Sequence, residues 1–195
     1  LMMAVDLATG RIVWRTSNPG GWGMTHSSII AVGAGGERQY VYCATRGVVG
    51  VSAADGRLLW KKPDWKIAMA NVPTPLDIGD GRVLLTGGYN AGAAMIRIRP
   101  DGPPEDIFRI PPSVFGSDQQ TPILFGGRVY GVVPGGELAC LDPDGSRRWS
   151  SGTVRFGLGP ILRAGAFILA LADQTGMLAI ADASPDGYRE RGRVK

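Results

Sequence analysis

The sequence is poor in the residues that catalysis and metal binding use most. It has one histidine, His26, among 195 residues. A histidine-rich metal site is therefore excluded, and a histidine-based triad would depend on His26 alone. Ser27 and Ser28 adjoin it on the same strand, which is poor triad geometry. The two cysteines, Cys43 and Cys140, are far apart and neither belongs to a C-x-x-C pair. That excludes a disulfide framework and a zinc site built on cysteines. No apolar run approaches the roughly 20 residues of a membrane helix. The longest surrounds residues 164–172. The chain opens on Leu1, without the charged segment and apolar leader of a signal peptide. Charge is thin as well: 19% of residues are charged and the net charge is +4. The arginines are scattered at strand ends, apart from the tail "YRERGRVK" at 188–195. Without a basic patch, no nucleic-acid partner is expected. The apolar residues do not follow a 3.6-residue period, so helical repeats are excluded too.

Glycine, by contrast, is abundant, with 30 residues, and there are 14 prolines between frequent short apolar runs. With 44% hydrophobic residues the chain can bury a core, so this mixture signals an all-β protein with many turns rather than disorder. The stretch "AVDLATGRIVW" at 4–14 reads as strand, tight turn, strand. It recurs as "VSAADGRLLW" at 51–60, with Gly-x-x-x-Trp kept, and as "CLDPDGSRRW" at 140–149. Two degenerate copies lack the tryptophan: "IRIRPDGPPEDIF" from Ile96 and "AIADASPDGYRER" from Ala179. The turn glycines are Gly10, Gly56, Gly102, Gly145 and Gly187, spaced by 46, 46, 43 and 42 residues.

The segments between the turns repeat as well. A first strand opens on small residues or proline ("HSSIIAV", "PTPLDIG", "QTPILFG", "LGPILRA"). A second and a third follow, as in "GRVLLTGG" and "AAMIRIR", and the turn and fourth strand close the unit. Four strands in about 45 residues is the size of a β-propeller blade. Proline suits the start of an edge strand, which can spare an N–H. Asp6 and Asp142 are placed to accept backbone N–H bonds in an Asx-turn. The tryptophan on the outermost strand, Trp14 in the first copy, is expected to dock on the following blade. The predicted division is 1–16, the end of a blade; 17–62, 63–108 and 109–151, one blade each; and 152–195, a blade with its outer strand truncated. In that register Cys43 and Cys140 are separated by a whole blade and do not pair.

The first copy resembles the A-x-D-x-x-T-G-x-x-x-W repeat of the PQQ-like, quinoprotein-type β-propellers at Ala4, Asp6, Thr9, Gly10 and Trp14. The second copy keeps Gly56 and Trp60; the copy at 140–149 keeps Asp142, Gly145 and Trp149. Members of that family carry seven or eight four-stranded antiparallel blades. The resemblance thus implies an incomplete part of such a ring. It extends to BamB-like bacterial proteins, which implies a non-catalytic scaffold in the periplasm or another extracytoplasmic space, with protein partners or a small ligand at the axis and no cofactor. Two alternatives stay open: part of a PQQ-dependent dehydrogenase with calcium, and an extracytoplasmic sensor propeller.

The first strand of each blade lines the axis, so the residues just before it stand at one mouth of the channel. His26, Asn71, Asp118, Gln119 and Gln120 are candidates there. The last four offer oxygen ligands for calcium, and Trp22, Trp65 and Phe115 offer aromatic surface. The vicinal cysteine pair of many quinoprotein alcohol dehydrogenases is missing. His26 is expected to be a hydrogen-bonded loop residue. The glycine-rich "TGGYNAGA" at 86–93 lacks the Gly-Lys-Ser/Thr ending of a phosphate loop and reads as a long hairpin connection.

Overall fold

The short apolar runs become strands and the glycines become their turns. A computed structural model describes all residues, 1–195. It contains eighteen strands and no helix. β1 (Met3–Val5) and β2 (Ile12–Arg15) form a two-stranded hairpin. Four antiparallel four-stranded sheets follow in chain order. The first holds β3 (Ile30–Ala34), β4 (Glu37–Ala44), β5 (Gly47–Ser52) and β6 (Leu58–Lys62). The second holds β7 (Leu76–Gly79), β8 (Arg82–Gly87), β9 (Gly92–Arg99) and β10 (Gly102–Ile110). The third holds β11 (Ile123–Phe125), β12 (Arg128–Val132), β13 (Leu138–Leu141) and β14 (Arg147–Ser150). The last holds β15 (Ile161–Ala164), β16 (Phe167–Ala172), β17 (Met177–Asp182) and β18 (Glu190–Val194). The first strands β3, β7, β11 and β15 are successive neighbours in space, so the sheets fan around one axis. The fold is an incomplete propeller: the β1–β2 hairpin does not join the β15–β18 sheet. Where a shortened last outer strand was expected, β18 runs five residues, as long as β6, and pairs with β17 from Leu178↔Val194 to Ala181↔Glu190. Its edge is held by Arg191 on Asp182 and Arg193 on Glu190.

Each central sheet is buried on both faces, and the two-residue period divides its side chains between two interblade cores. Val83, Leu85, Ala94 and Ile96 face Val32, Val41, Val48 and Trp60 of the preceding sheet. Leu84 and Met95, one residue out of phase, face Phe115, Val129 and Leu141 of the next. The third and fourth sheets meet through Tyr130, Leu138, Phe156 and Ile168. Cys43 and Cys140 lie buried and unpaired in different cores. Burial pushes their thiols up, to about 12 and about 11 respectively.

The aromatic docks differ from one boundary to the next. Trp14 lies over Gly56, where any side chain would collide with the indole, and its Nε1–H donates to Ala53 O at 3.3 Å. Trp149 makes the same reach into the last sheet, donating to Ser184 O at 3.0 Å. The degenerate third copy supplies a substitute: Phe108 sits 3.1 Å from where a Cβ on Gly145 would stand. Bulges between Gly102 and Glu105 and between Asp106 and Phe108 absorb the two extra residues that separate this ring from its glycine. Trp60 docks on the following sheet as expected, in the core with Val83, Leu85, Ala94 and Ile96, but without a turn glycine beneath it. It lies over Gly50 of its own sheet and donates to Gln39 Oε1 at 2.8 Å. The outer strands at that boundary are tied by charge as well. Lys62, with its side chain almost fully buried, meets Asp106 at 2.7 Å and Asp64 at 3.1 Å, and Arg109 bridges the same two carboxylates.

The turn chemistry needs one correction. Asp6 accepts from Thr9 N at 2.8 Å and Thr9 Oγ1 at 2.7 Å, which holds its carboxyl below the usual range. Asp142 makes no such turn bond, because its carboxylate is drawn off by Arg128 and Arg148. Asp144 takes the role, accepting from Ser146 N at 2.9 Å.

Candidate functional site

Four loops lead into the first strands and gather at one end of the arc, as the alternation of antiparallel strands requires. A run of hydroxyls stitches them together. Ser28 N–H donates to Thr74 Oγ1 at 3.1 Å, and Thr74 N–H to Thr121 Oγ1 at 3.0 Å. The next position in register is Gly159, where a side chain would strike Leu171 O, so the run stops there.

The candidate residues on these loops fall into two groups. Most are engaged in building the loops. Gln120 is buried; its Nε2 donates to Val132 O at 3.1 Å and its Oε1 accepts from Val132 N at 3.2 Å. Ser117 Oγ donates to the same side-chain oxygen at 2.6 Å. Gln119 is exposed. Asp118 lies against Gly88 of the 86–93 hairpin, its Oδ1 buried without a hydrogen-bond partner, and burial pushes its carboxyl up. Trp22 is half-buried and clasped by Asn18, whose amide donates to Trp22 O at 2.9 Å and accepts from Trp22 N at 3.0 Å. The Lys61 ammonium stands 5.7 Å from the centre of the Trp22 ring. Trp65 and Phe115 are buried in separate cores.

His26 and Asn71 form the second group. Both line a pocket of ≈ 160 Å³ between the 20–29 loop, the β4–β5 turn and the 63–75 loop. His26 is exposed and makes no hydrogen bond to protein, contrary to the expectation of a bonded loop histidine. Asn71 is buried, and its Oδ1 has no hydrogen-bond partner. Thr25 adds its hydroxyl, and Lys66 and Thr45 complete the polar lining. Neither was a candidate from sequence: Thr45 comes from a β-turn and Lys66 from a loop whose register the repeat does not define.

A calcium-bound quinone needs several oxygen ligands converging beneath an exposed aromatic floor. The oxygen donors here do not converge. Gln120 is tied to β12, Asp118 faces the 86–93 hairpin, and Asn71 lines the pocket beside His26. No three His, Cys, Asp or Glu side chains are grouped to hold a metal ion. The buried rings of Trp65 and Phe115 offer no floor. The residues of this chain do not fit that cofactor.

The repeats and their four-stranded sheets find their match in a known family. A sequence profile for outer membrane protein assembly factor BamB covers residues 2–185. The chain belongs to the BamB-type PQQ-like propeller family. Solved structures agree on the fold. BamB from Moraxella catarrhalis superposes with a TM-score of 0.67 at 13% identity, over 99% of this chain and 57% of its own. Quinohemoprotein alcohol dehydrogenase from Comamonas testosteroni gives 0.65 at 15% identity, over 99% of this chain and 40% of its own. This BamB-type chain therefore spans little more than half the length of the first and less than half of the second. No curated protein sequence matches it. No helix of the BamB-type chain is long and apolar enough to cross a membrane.

Proposed function

We propose that this BamB-type propeller segment is a non-catalytic, extracytoplasmic binding scaffold that presents its loop end to protein partners. The observation that carries the reading is the division of labour at that end. The buried polar side chains Gln120 and Ser117 are engaged with backbone or with each other. The side chains left exposed there include Met24 at 86%, Met69 at 78%, Tyr89 at 48% and Leu158 at 40%. Exposed apolar groups with flexible methionines are adaptable docking surface, not catalytic machinery. The family's description as an outer membrane protein assembly factor supports an assembly role and an extracytoplasmic location. Part of a PQQ-dependent dehydrogenase is the second reading. It draws on the fold shared with the alcohol dehydrogenase, and it is disfavoured by the failure of the oxygen donors to converge.

The test uses the full-length protein in its own cell. A photo-crosslinking residue at Met24 or Met69 is expected to trap a discrete partner, while one at Arg57, on a turn at the opposite end of the arc, traps none. Stoichiometric binding of PQQ with calcium and dye-linked alcohol oxidation would overturn the scaffold reading.

A further inference from the structure

The pocket between the first two complete sheets gathers soft donors. Met24, His26 and Met69 all line its ≈ 160 Å³. A water occupies about 30 Å³, so the space holds about five waters, and groups on its wall stand within reach of a single ion. The two loops that carry these side chains are pinned beside them. Gly23 N–H donates to Thr45 Oγ1 and Thr25 N–H to Tyr42 Oη, each at 2.8 Å, so Met24 stands between two fixed residues. Thr25 Oγ1 also donates to Cys43 O, which ties the residue before His26 to β4. Met69 stands between Trp65 and Asn71, both buried. The three side chains themselves are left free. His26 is exposed and makes no hydrogen bond to protein. Met24 and Met69 are, after Leu7, the most exposed large apolar side chains of the chain. Methionine is by preference an inside residue, so two thioethers left in solvent beside an unbonded imidazole call for a ligand that favours sulfur. No aspartate or glutamate lines the pocket, so it lacks the carboxylates on which calcium and magnesium sites are built. Lys66 stands on the same wall, and its charge repels a divalent ion twice as strongly as a monovalent one.

We propose that this pocket binds copper(I) through the thioethers of Met24 and Met69 and the imidazole of His26. Thioether and imidazole donors suit copper(I) and are poor partners for the harder divalent ions. All three are neutral when they ligate, which matches a monovalent ion. Each methionine has three rotatable bonds, so the two can close over the ion from opposite loops. The site lies off the axis, because Thr45 on its wall stands on the turn between the second and third strands of its sheet. The inference goes beyond the scaffold reading and does not rest on it.

The experiment supplies copper(I) to the chain as its acetonitrile complex under nitrogen, in competition with a coloured copper(I) chelator. One copper per chain is expected at saturation. X-ray absorption at the copper edge is expected to show two sulfur neighbours and one nitrogen. Met24→Leu, Met69→Leu and His26→Gln should each weaken binding by more than the roughly tenfold that loss of an outer-shell partner costs a metal site. All three positions are exposed, so the variants keep the fold, which a thermal melt checks. Copper held by the thiols of Cys43 or Cys140 would survive both methionine variants, and that survival would overturn the proposal. Bound copper with no sulfur neighbour, or no binding at all, would overturn it too. Zinc sulfate is the control for the softness of the site. Whatever zinc His26 takes up should be indifferent to Met24→Leu and Met69→Leu, and a zinc affinity that falls with them as copper's does would overturn the assignment to a soft ion.

Discussion

Trp60 gives the sharpest test of the packing, because two of its contacts make opposite demands. Its Nε1–H donates to Gln39 Oε1 at 2.8 Å, and Gln39 is itself buried. Its ring lies against Gly50, so closely that a Cβ there would overlap the indole. Trp60→Ala removes a buried ring, a change that costs about 3–5 kcal/mol. It also strands the Gln39 acceptor, which adds about 1–3 kcal/mol. Trp60→Phe keeps most of the volume and should show only the second cost. Gly50→Ala in the wild-type background forces the indole aside, at about 1–3 kcal/mol. In the Trp60→Ala background the same change enters empty space and should be neutral or stabilising. The sign reversal is the signature of direct contact, and urea unfolding of the four proteins of the cycle measures it as a coupling of at least about 1 kcal/mol. If the two single costs simply add, or if Trp60→Phe is as damaging as Trp60→Ala, this account of the ring is wrong.

Cys43 and Cys140 are buried with their thiols pushed up, so Ellman's reagent should find two thiols in denaturant and almost none in the native protein; a denatured count of zero would mean a disulfide and a different blade order. Burial raises the Asp118 carboxyl in the folded state, so its charge opposes folding in full above the folded pKa and not at all below the unfolded value of about 3.9. Asp118→Asn should therefore raise the Tm at pH 7, and the gain should vanish as the pH falls below about 4; a lower Tm at pH 7 would show that the carboxylate has a partner. The arc exposes Met3, Leu7 and Val13 at one end and Leu162 and Phe167 at the other, so the chain on its own should self-associate; light scattering that finds only the 20.6 kDa monomer at all concentrations would refute this.

The propeller was legible in the sequence because its rule is local. A glycine with a left-handed φ, such as Gly56 at 74°, and an aromatic four residues later recur in register with the blades. What the pattern could not show depends on neighbours far along the chain. Asp142 fits a turn motif, but Arg128 and Arg148 reach it from other strands. Phe108 replaces a tryptophan only because two bulges shift it into place. Trp60 meets the next sheet without a turn glycine because its indole stands on Gly50 and donates to Gln39 within its own sheet. The pocket was half visible: His26 and Asn71 stood out as rare or polar residues before inner strands, while Thr45 and Lys66 come from segments the repeat leaves undefined.

The aromatic-on-glycine dock also bears on how such arcs can grow. At these boundaries one blade supplies a ring and the next supplies bare backbone to receive it, as Trp14 meets Gly56 and Phe108 meets Gly145. The blade at 109–151 carries a receiving glycine, Gly145, and an aromatic, Trp149, that reaches into the next sheet, so its tandem duplication would copy both halves of the joint. The boundary after β6 works differently. There Trp60 stands on a glycine of its own sheet while facing the next, and the outer strands depend on the Lys62, Asp64, Asp106 and Arg109 network, whose members must be inherited from two adjacent blades together. A recombination crossover placed between β6 and β7 would leave Lys62 buried without Asp106, whereas one placed between β2 and β3 would part Trp14 from Gly56 and break no ion pair.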